Sequence, residues 1–279
     1  MRAFRDPFVA GVVALRALVG MVLVFLAGPL VVVAATAFNN SAFMQFPPRQ
    51  WSLRWFRDYF GSARWIAASW MSLELGIAVA LASTVLAIGA AVVLTRYRFP
   101  GRQALQSLIM APLVVPVIVL AAGLYYMLVR LGLSGTFLGL MLGHMVVAFP
   151  YATVVLSASL EQCDRQLEDA AVGLGANRVR AFLAVTLPLV KSSVVVALLF
   201  SFLISFDEVV ISIFLAGPET MTLPRVMWES IRFEISPTIA AVSTLLIALS
   251  TAIMLIAELI RRRLGPGRGS SASELGRLR

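Results

Sequence analysis

The 279-residue chain is 60% hydrophobic and 13% charged, against about 45–50% and about 25% in an average soluble domain, which excludes a soluble globular protein with a polar surface. Its net charge of +9 is accounted for by the sidedness of its basic residues and by attraction to anionic lipid, so it calls for no nucleic-acid partner. One histidine and one cysteine are too few to ligate a structural or catalytic metal or to form an internal disulfide.

Six stretches approach the roughly 20 apolar residues that a helix needs to cross a bilayer: 12–38, 70–94, 105–129, 136–160, 194–216 and 237–260. Alternating barrel patterning is absent. The expectation is therefore an all-α membrane protein of six transmembrane helices, each satisfying its own backbone in lipid, in a single domain over 1–264. The first stretch follows basic residues and ends in Ala35-Thr36-Ala37, a triplet that imitates a leader cleavage site. It is about twice as long as the 7–15-residue core of a signal peptide, so an uncleaved anchor is expected.

The connection 39–69 holds Pro47-Pro48 and then WSLRWFRDYF at 51–60. Trp51, Trp55 and Tyr59 recur at i, i+4, i+8, which predicts a short interfacial helix with one aromatic face. A membrane anchor and a binding surface both fit it. Glu74, at the start of the second span, fits either a contact with an external binding protein or a place among the headgroups. The third span carries Pro112 and Pro116 and the fourth Pro150, residues that kink helices beside a neighbour or a cavity. Gly135, Gly139 and Gly143 are spaced by four and predict a close-packing face. His144 is expected in a helix–helix hydrogen bond. The run Gly132-Leu133-Ser134-Gly135 matches the pattern around the nucleophile of intramembrane serine proteases. His144, the sole candidate base, lies about 15 Å further along a helix, far beyond the roughly 2.6–3.2 Å that proton transfer requires. The run is read as a loop.

Between the fourth and fifth spans lies a polar island, 161–191, with Glu161, Asp164, Arg165, Glu168, Asp169, Arg178, Arg180 and Lys191. Leu167, Ala170, Ala171 and Leu174 form one apolar face of a helix. Gly173 and Gly175 end it, Asn177 suits the N-cap of a second helix, and Phe182, Val185 and Leu189 continue an apolar face until Pro188 bends the chain into the fifth span. The expectation is helix, glycine turn, helix, with Cys163 a small residue without a role. At the far end Glu258 and Arg262 are spaced for an i,i+4 pair. The tail 265–279, rich in Gly, Ser and Arg, is expected to be disordered. Sixteen of the 23 basic residues fall on the side that holds both termini and the island, which places that side in the cytoplasm. The sole lysine, Lys191, follows Val190 rather than glycine, so the chain has no phosphate-binding loop of the Gly-x-x-x-x-Gly-Lys-Ser/Thr type and is not expected to be an enzyme.

Asp169-Ala170-Ala171, Gly175 four positions on, and Val185-x-Leu187-Pro188 resemble the EAA motif of the inner-membrane permease subunits of binding-protein-dependent ABC importers. Every spacing agrees. Asp169 stands for Glu and Val185 for Ile, while Glu168 offers an alternative acid one position early. The resemblance implies a type I importer (MetI-like) permease fold in a bacterial inner membrane. It also implies that Glu168, Asp169, Ala170, Ala171, Gly175, Val185, Leu187 and Pro188 form a coupling surface. The partners it implies are a second, heteromeric permease, two ATPase subunits that use ATP and magnesium, and a periplasmic binding protein, with no cofactor bound by this chain. An ion-driven transporter, the rival reading, has no use for such a surface.

SLRWF at 52–56, SFDEVVISIFLAG at 205–217, Leu223-Pro224 and Ser236-Pro237 further resemble the spermidine/putrescine branch. Related branches carry other small organic solutes or ferric iron. On a straight fifth span, Asp207 and Glu208 would lie about 14 Å below its outer end. Ionisable groups there cost about 2.5–3.5 kcal/mol and usually face the bundle interior. They would either attract a di- or polyamine or hold helices together. Tyr125, Tyr126 and Trp228 fit either cation–π contacts to an amine or ordinary packing.

Overall fold

The structure, a computed structural model, describes residues 7–41, 45–233 and 236–264. Its helices are α1 (Pro7–Ala37), α2 (Arg54–Gly61), α3 (Ala63–Arg96), α4 (Arg102–Met110) with a 3₁₀ turn at Ala111–Leu113, α5 (Val117–Arg130) and α6 (Phe137–Gln162). They continue with α7 (Arg165–Gly173), α8 (Arg178–Ala181), a π-type turn at Phe182–Thr186, α9 (Leu187–Leu189), α10 (Lys191–Asp207), α11 (Val210–Leu215), α12 (Leu223–Phe233) and α13 (Thr238–Leu264). No strand occurs among the described residues. The tail 265–279 and the side chain of Arg262, expected to pair with Glu258, lie outside them.

Four helices are long and apolar enough to cross a membrane alone: Gly11–Ala37, Ala63–Arg96, Phe137–Gln162 and Thr238–Ile260. They match the first, second, fourth and sixth expected spans. The other two expected spans are not straight. The third is broken, with Arg102–Leu113 and Val117–Arg130 meeting at 104°. Pro112 and Pro116 supply no amide to the helical ladder, and each ring clashes with the preceding turn, so what was expected as a kink is a corner. The segment Arg178–Leu189 meets α10 at 77°. α10 then stops at Asp207, and α11 restarts at Val210.

That second stop has a local cause. The Glu208 carboxylate accepts from the amides of Val210 (2.8 Å) and Ile211 (3.0 Å), as a capping side chain does. At the other end of α11 the Arg225 guanidinium donates to the carbonyl oxygens of Ser212 and Ala216. An acid at the N-terminus and a base at the C-terminus both oppose the helix dipole. This six-residue helix is thus closed off electrostatically where it lies among apolar side chains.

Two compact units can be described. In the first, residues 1–66 and 229–250, Trp55 packs against Ala37, Ala240 and Ala241, and Arg64 pairs with Glu229 at 2.7 Å. Trp55 and Tyr59 form the buried face of α2, as the spacing predicts. Trp51 does not join them. The chain around it pairs with 38–40, through Ser52 N to Phe38 O (2.7 Å) and Asn40 N to Gln50 O (3.1 Å), so Trp51 is extended and 71% exposed.

The second unit, residues 67–228 and 251–279, has a core in two layers. One joins Leu75 and Val79 of α3, Ala121 and Leu128 of α5, Leu140 and Ala148 of α6, and Ile211 and Leu215 of α11. The other joins Ala87 and Ala91 of α3, Ala152, Leu156 and Leu160 of α6, Val190, and Ala197 of α10. The alanines let the backbones approach closely, which is how helices gain contact in lipid. His144 bridges α6 to both sides of the span break. Its Nδ1 lies 3.0 Å from Ser205 Oγ and its Nε2 3.1 Å from Ser212 Oγ, and the ring is fully buried. The expected helix–helix bond is therefore present, twice over. His144→Leu keeps similar bulk but removes both interhelical bonds, stranding the Ser205 hydroxyl while Ser212 keeps its bond to Glu208 O (3.0 Å). At about 0.6 kcal/mol per interhelical bond, it is expected to lower stability by about 1–2 kcal/mol in a detergent thermal-unfolding assay.

Candidate functional site

The polar island folds as its sequence predicts, into two helices around a glycine. Asp164 starts α7, its carboxylate accepting from Gln166 N at 2.9 Å. The helix ends at Gly173, and Gly175 takes the left-handed conformation at φ +96°. The turn closes through Gly175 N to Val172 O (2.9 Å) and Ala176 N to Ala171 O (3.1 Å). Nothing lies within 4 Å of a Cβ built on Gly175, so the requirement for glycine there is set by dihedral angle and not by crowding. Asn177 caps α8, accepting from Arg180 N at 2.8 Å.

One side of this projection is fastened to the helical core. Ala181 and Thr186 are buried, and Phe182 and Cys163 pack on the Ala87–Leu160 layer. Glu168 supplies the polar part of the fastening. Its carboxylate accepts from Thr186 Oγ1 at 2.9 Å, tying the first helix of the loop to the second. It also faces Arg96 at the end of α3 across 4.0 Å, with the two side chains only 15% and 11% exposed. Arg96 donates in addition to Cys163 O (3.2 Å), and Arg165 donates back to Arg96 O (3.0 Å). Cys163, expected to have no role, thus contributes its backbone to the joint.

The other side is open. Leu174 is 92% exposed, and Leu167, Val179 and Leu183 are also exposed. Asp169 is on the surface, 3.9 Å from Arg165. Ala170, Gly175 and Pro188 are exposed, while Ala171, Val185 and Leu187 are half-buried. The acids at 168 and 169 are therefore separated in role by one residue: Glu168 turns inward to the core and Asp169 outward. The anchors Arg96 and Thr186 carry no local signal in the sequence, since their partner lies 72 and 18 positions away. Val179 and Leu183 continue the open apolar face beyond the four residues that periodicity identifies.

The groups considered for a substrate path are dispersed. Asp207 is exposed at the end of α10, whereas the Glu208 carboxylate is occupied by α11. The break between them removes the straight-helix geometry behind the 14 Å depth. Tyr125 and Trp228 are each 44% exposed. No hydrogen bond or ring contact joins either to Asp207 among the described residues. Tyr126, 62% exposed, already carries a cation on one face, the Arg130 guanidinium 4.5 Å from its ring centre.

Apolar spans, some broken, together with an exposed helix–glycine–helix projection are the features expected of a membrane-transport permease. Residues 83–266 match the family described as the binding-protein-dependent transport system inner membrane component, and the chain belongs to that family. It is 32% identical to the putrescine transport system permease protein PotI of Escherichia coli (strain K12) over 230 residues, 80% of this chain and 82% of the relative. It is 30% identical to the spermidine/putrescine transport system permease protein PotC of Haemophilus influenzae over 236 residues, 84% and 91% of the two chains. Among solved structures, it resembles a bacterial ABC transporter involved in import of the acidic polysaccharide alginate. The TM-score there is 0.70 at 14% identity, covering 93% of this chain and 97% of that one. An inward-facing MetNI methionine ABC transporter gives 0.60 at 16% identity, covering 72% and 96%. The type I importer permease fold expected from the motif is thus the fold of this inner-membrane protein.

Proposed function

We propose that this chain is one permease subunit of an ATP-driven importer for a polyamine or similar cationic small solute, and that the loop at 161–191 couples it to a separate ATPase. The observation that carries the coupling role is the two-sidedness of that loop. Leu167, Ala170, Leu174, Gly175, Val179 and Leu183 face outward, while Glu168, Thr186 and Phe182 fix its inner side to α3 and α6. A force applied to Leu174 or Asp169 is then transmitted to the spans. The proposed assembly contains a second, non-identical permease, two ATPase subunits and a periplasmic binding protein, with both termini and the loop on the cytoplasmic side. ATP hydrolysis belongs to the partner.

Support for the amine comes from relatives named for putrescine and spermidine and from the carboxylate at Asp207. Because Glu208 is engaged in capping α11, Asp207 is the acid of the pair assigned to meet the solute, with Tyr125 and Trp228 as exposed aromatic candidates beside the path. In cells carrying the complete transporter, Asp207→Asn is expected to raise the KM for radiolabelled putrescine or spermidine about tenfold, the equivalent of one charge-assisted hydrogen bond of ~1.5 kcal/mol. Glu208→Ala is instead expected to lower thermal stability by about 0.5–2 kcal/mol, the usual effect of losing a cap. Unchanged KM in Asp207→Asn would remove that residue from the path. Absence of uptake of either amine by the intact transporter would remove the substrate class while leaving the importer in place.

A further inference from the structure

At the end of α3, where the chain turns into α4, five arginines surround one open cavity of about 610 Å³: Arg96, Arg98, Arg102, Arg165 and Arg178, with Tyr97 beside them. A second cavity of about 520 Å³ shares Arg98 and Arg102 and reaches Phe99, Gly101 and the first turn of α4, which has no side-chain cap. We propose that this groove binds the phosphate of an anionic phospholipid headgroup.

Among the described residues, only two of the five guanidinium groups are engaged by the protein. Arg96 is engaged with Glu168 and Cys163 O, and Arg165 with Asp169 and Arg96 O. Arg98, Arg102 and Arg178 make no ion pair and no side-chain hydrogen bond with any described residue. The nearby carboxylates are occupied, Glu168 by Thr186 and Asp164 by the α7 amide of Gln166. Five positive charges against Asp164, Glu168 and Asp169 leave an excess of two around one concavity. The Nε atoms of Arg96 and Arg102 are moreover buried without a hydrogen-bond partner. Burying a charged donor unsatisfied is costly, and an oxyanion in the groove would offset that cost. Guanidinium groups match phosphate oxygens in a bidentate fork, and the uncapped N-terminus of α4 adds a favourable dipole.

The same chemistry would take a free phosphate, but the setting favours lipid. The groove lies at the terminus of a 34-residue apolar helix, the level at which headgroups sit. Tyr97 and Phe99, both exposed, alternate with Arg98 in the pattern of an interfacial belt. Basic pockets between spans are known lipid-headgroup sites.

The test uses the transporter purified with its partner subunits and placed in phosphatidylcholine nanodiscs containing graded phosphatidylglycerol, with bound lipid read by native mass spectrometry. Phosphatidylglycerol should remain on the intact protein. Arg98→Gln/Arg102→Gln should weaken retention about 25-fold, at roughly fivefold per arginine, and the exposed single change Arg178→Gln about fivefold. The charge-matched control Arg49→Gln/Arg57→Gln should retain lipid as the unaltered protein does. Equal retention in Arg178→Gln and the control would overturn the proposal. Displacement of the lipid by inorganic phosphate would assign the groove to a soluble anion and overturn it as well. Loss of the copurifying partner subunits from Arg178→Gln would make the groove a protein contact and would equally overturn the lipid assignment.

Discussion

Glu168→Arg is expected to reduce transport to background while the permease still folds and inserts. The carboxylate has two interactions to lose: the hydrogen bond from the Thr186 hydroxyl that joins the two loop helices, and the 4.0 Å ion pair with the Arg96 guanidinium at the end of α3. Both side chains of the ion pair are largely buried. Removing one partner leaves the other charge uncompensated at a cost of about 3–5 kcal/mol, and arginine adds repulsion. The site lies at the foot of the proposed coupling loop, so this energy is lost where the loop meets the span rather than in the apolar core. Glu168→Gln should behave differently. Its amide oxygen can still accept from Thr186, so a partial loss of about tenfold is expected, near the ~1.5 kcal/mol that a charge-assisted bond adds. Radiolabelled solute uptake measured beside ATPase activity of the assembled complex separates the outcomes, because a loosened joint lets hydrolysis continue without import. Exchanging the charges in Glu168→Arg/Arg96→Glu should recover part of the uptake. If Glu168 instead touches the ATPase directly, the exchange recovers nothing.

The second large effect is expected at Gly139. Alanine is the better helix former by about 1 kcal/mol, and Gly139 sits inside α6, so propensity alone predicts a gain. A Cβ at this position would overlap the carbonyl oxygen of Leu133 and stand 2.9 Å from its carbonyl carbon. Those atoms are backbone and cannot rotate aside, and Leu133 O also accepts from the Thr136 hydroxyl at 2.7 Å. Gly139→Ala is therefore expected to cost about 2–3 kcal/mol net, at the upper end of overpacking effects, read as a fall in the unfolding midpoint of the detergent-solubilised protein. Gly89→Ala on α3 provides the comparison. Nothing lies within 4 Å of its Cβ, and a small gain is expected. Equal behaviour of the two variants would show that the Leu133 carbonyl has room to move.

These two residues also mark how far the sequence could be read. The glycines at 135, 139 and 143 were legible as a close-packing face, and the structure gives each a different neighbour. Gly143 admits Leu215 and Ile211 of α11, Gly139 admits its own preceding loop, and Gly135, at φ +77°, lies against Gly217. Spacing can announce that backbones approach, but it cannot name the approaching backbone. The local fold of the 161–191 loop was legible almost residue by residue because its determinants are local: a cap at Asn177, a left-handed glycine at 175, apolar residues at helical spacing. Arg96 was not, because an ion pair across 72 positions leaves no periodic trace. The fifth span was misjudged as straight for a related reason. Hydropathy averages over Glu208, whereas the backbone responds to one carboxylate that competes for two amides.

The exposure of Leu174 carries a consequence for the life of the protein before assembly. A leucine that is 92% exposed, with Leu167, Val179 and Leu183 around it, is a hydrophobic patch that lipid does not cover when the loop projects into water. If the proposed ATPase docks there, the subunit before assembly presents an exposed apolar patch of the kind that marks an interaction site or an aggregation liability. On that reading, partner binding would stabilise the folded permease by mass action, so the subunit made alone is expected to be less stable than the assembled one.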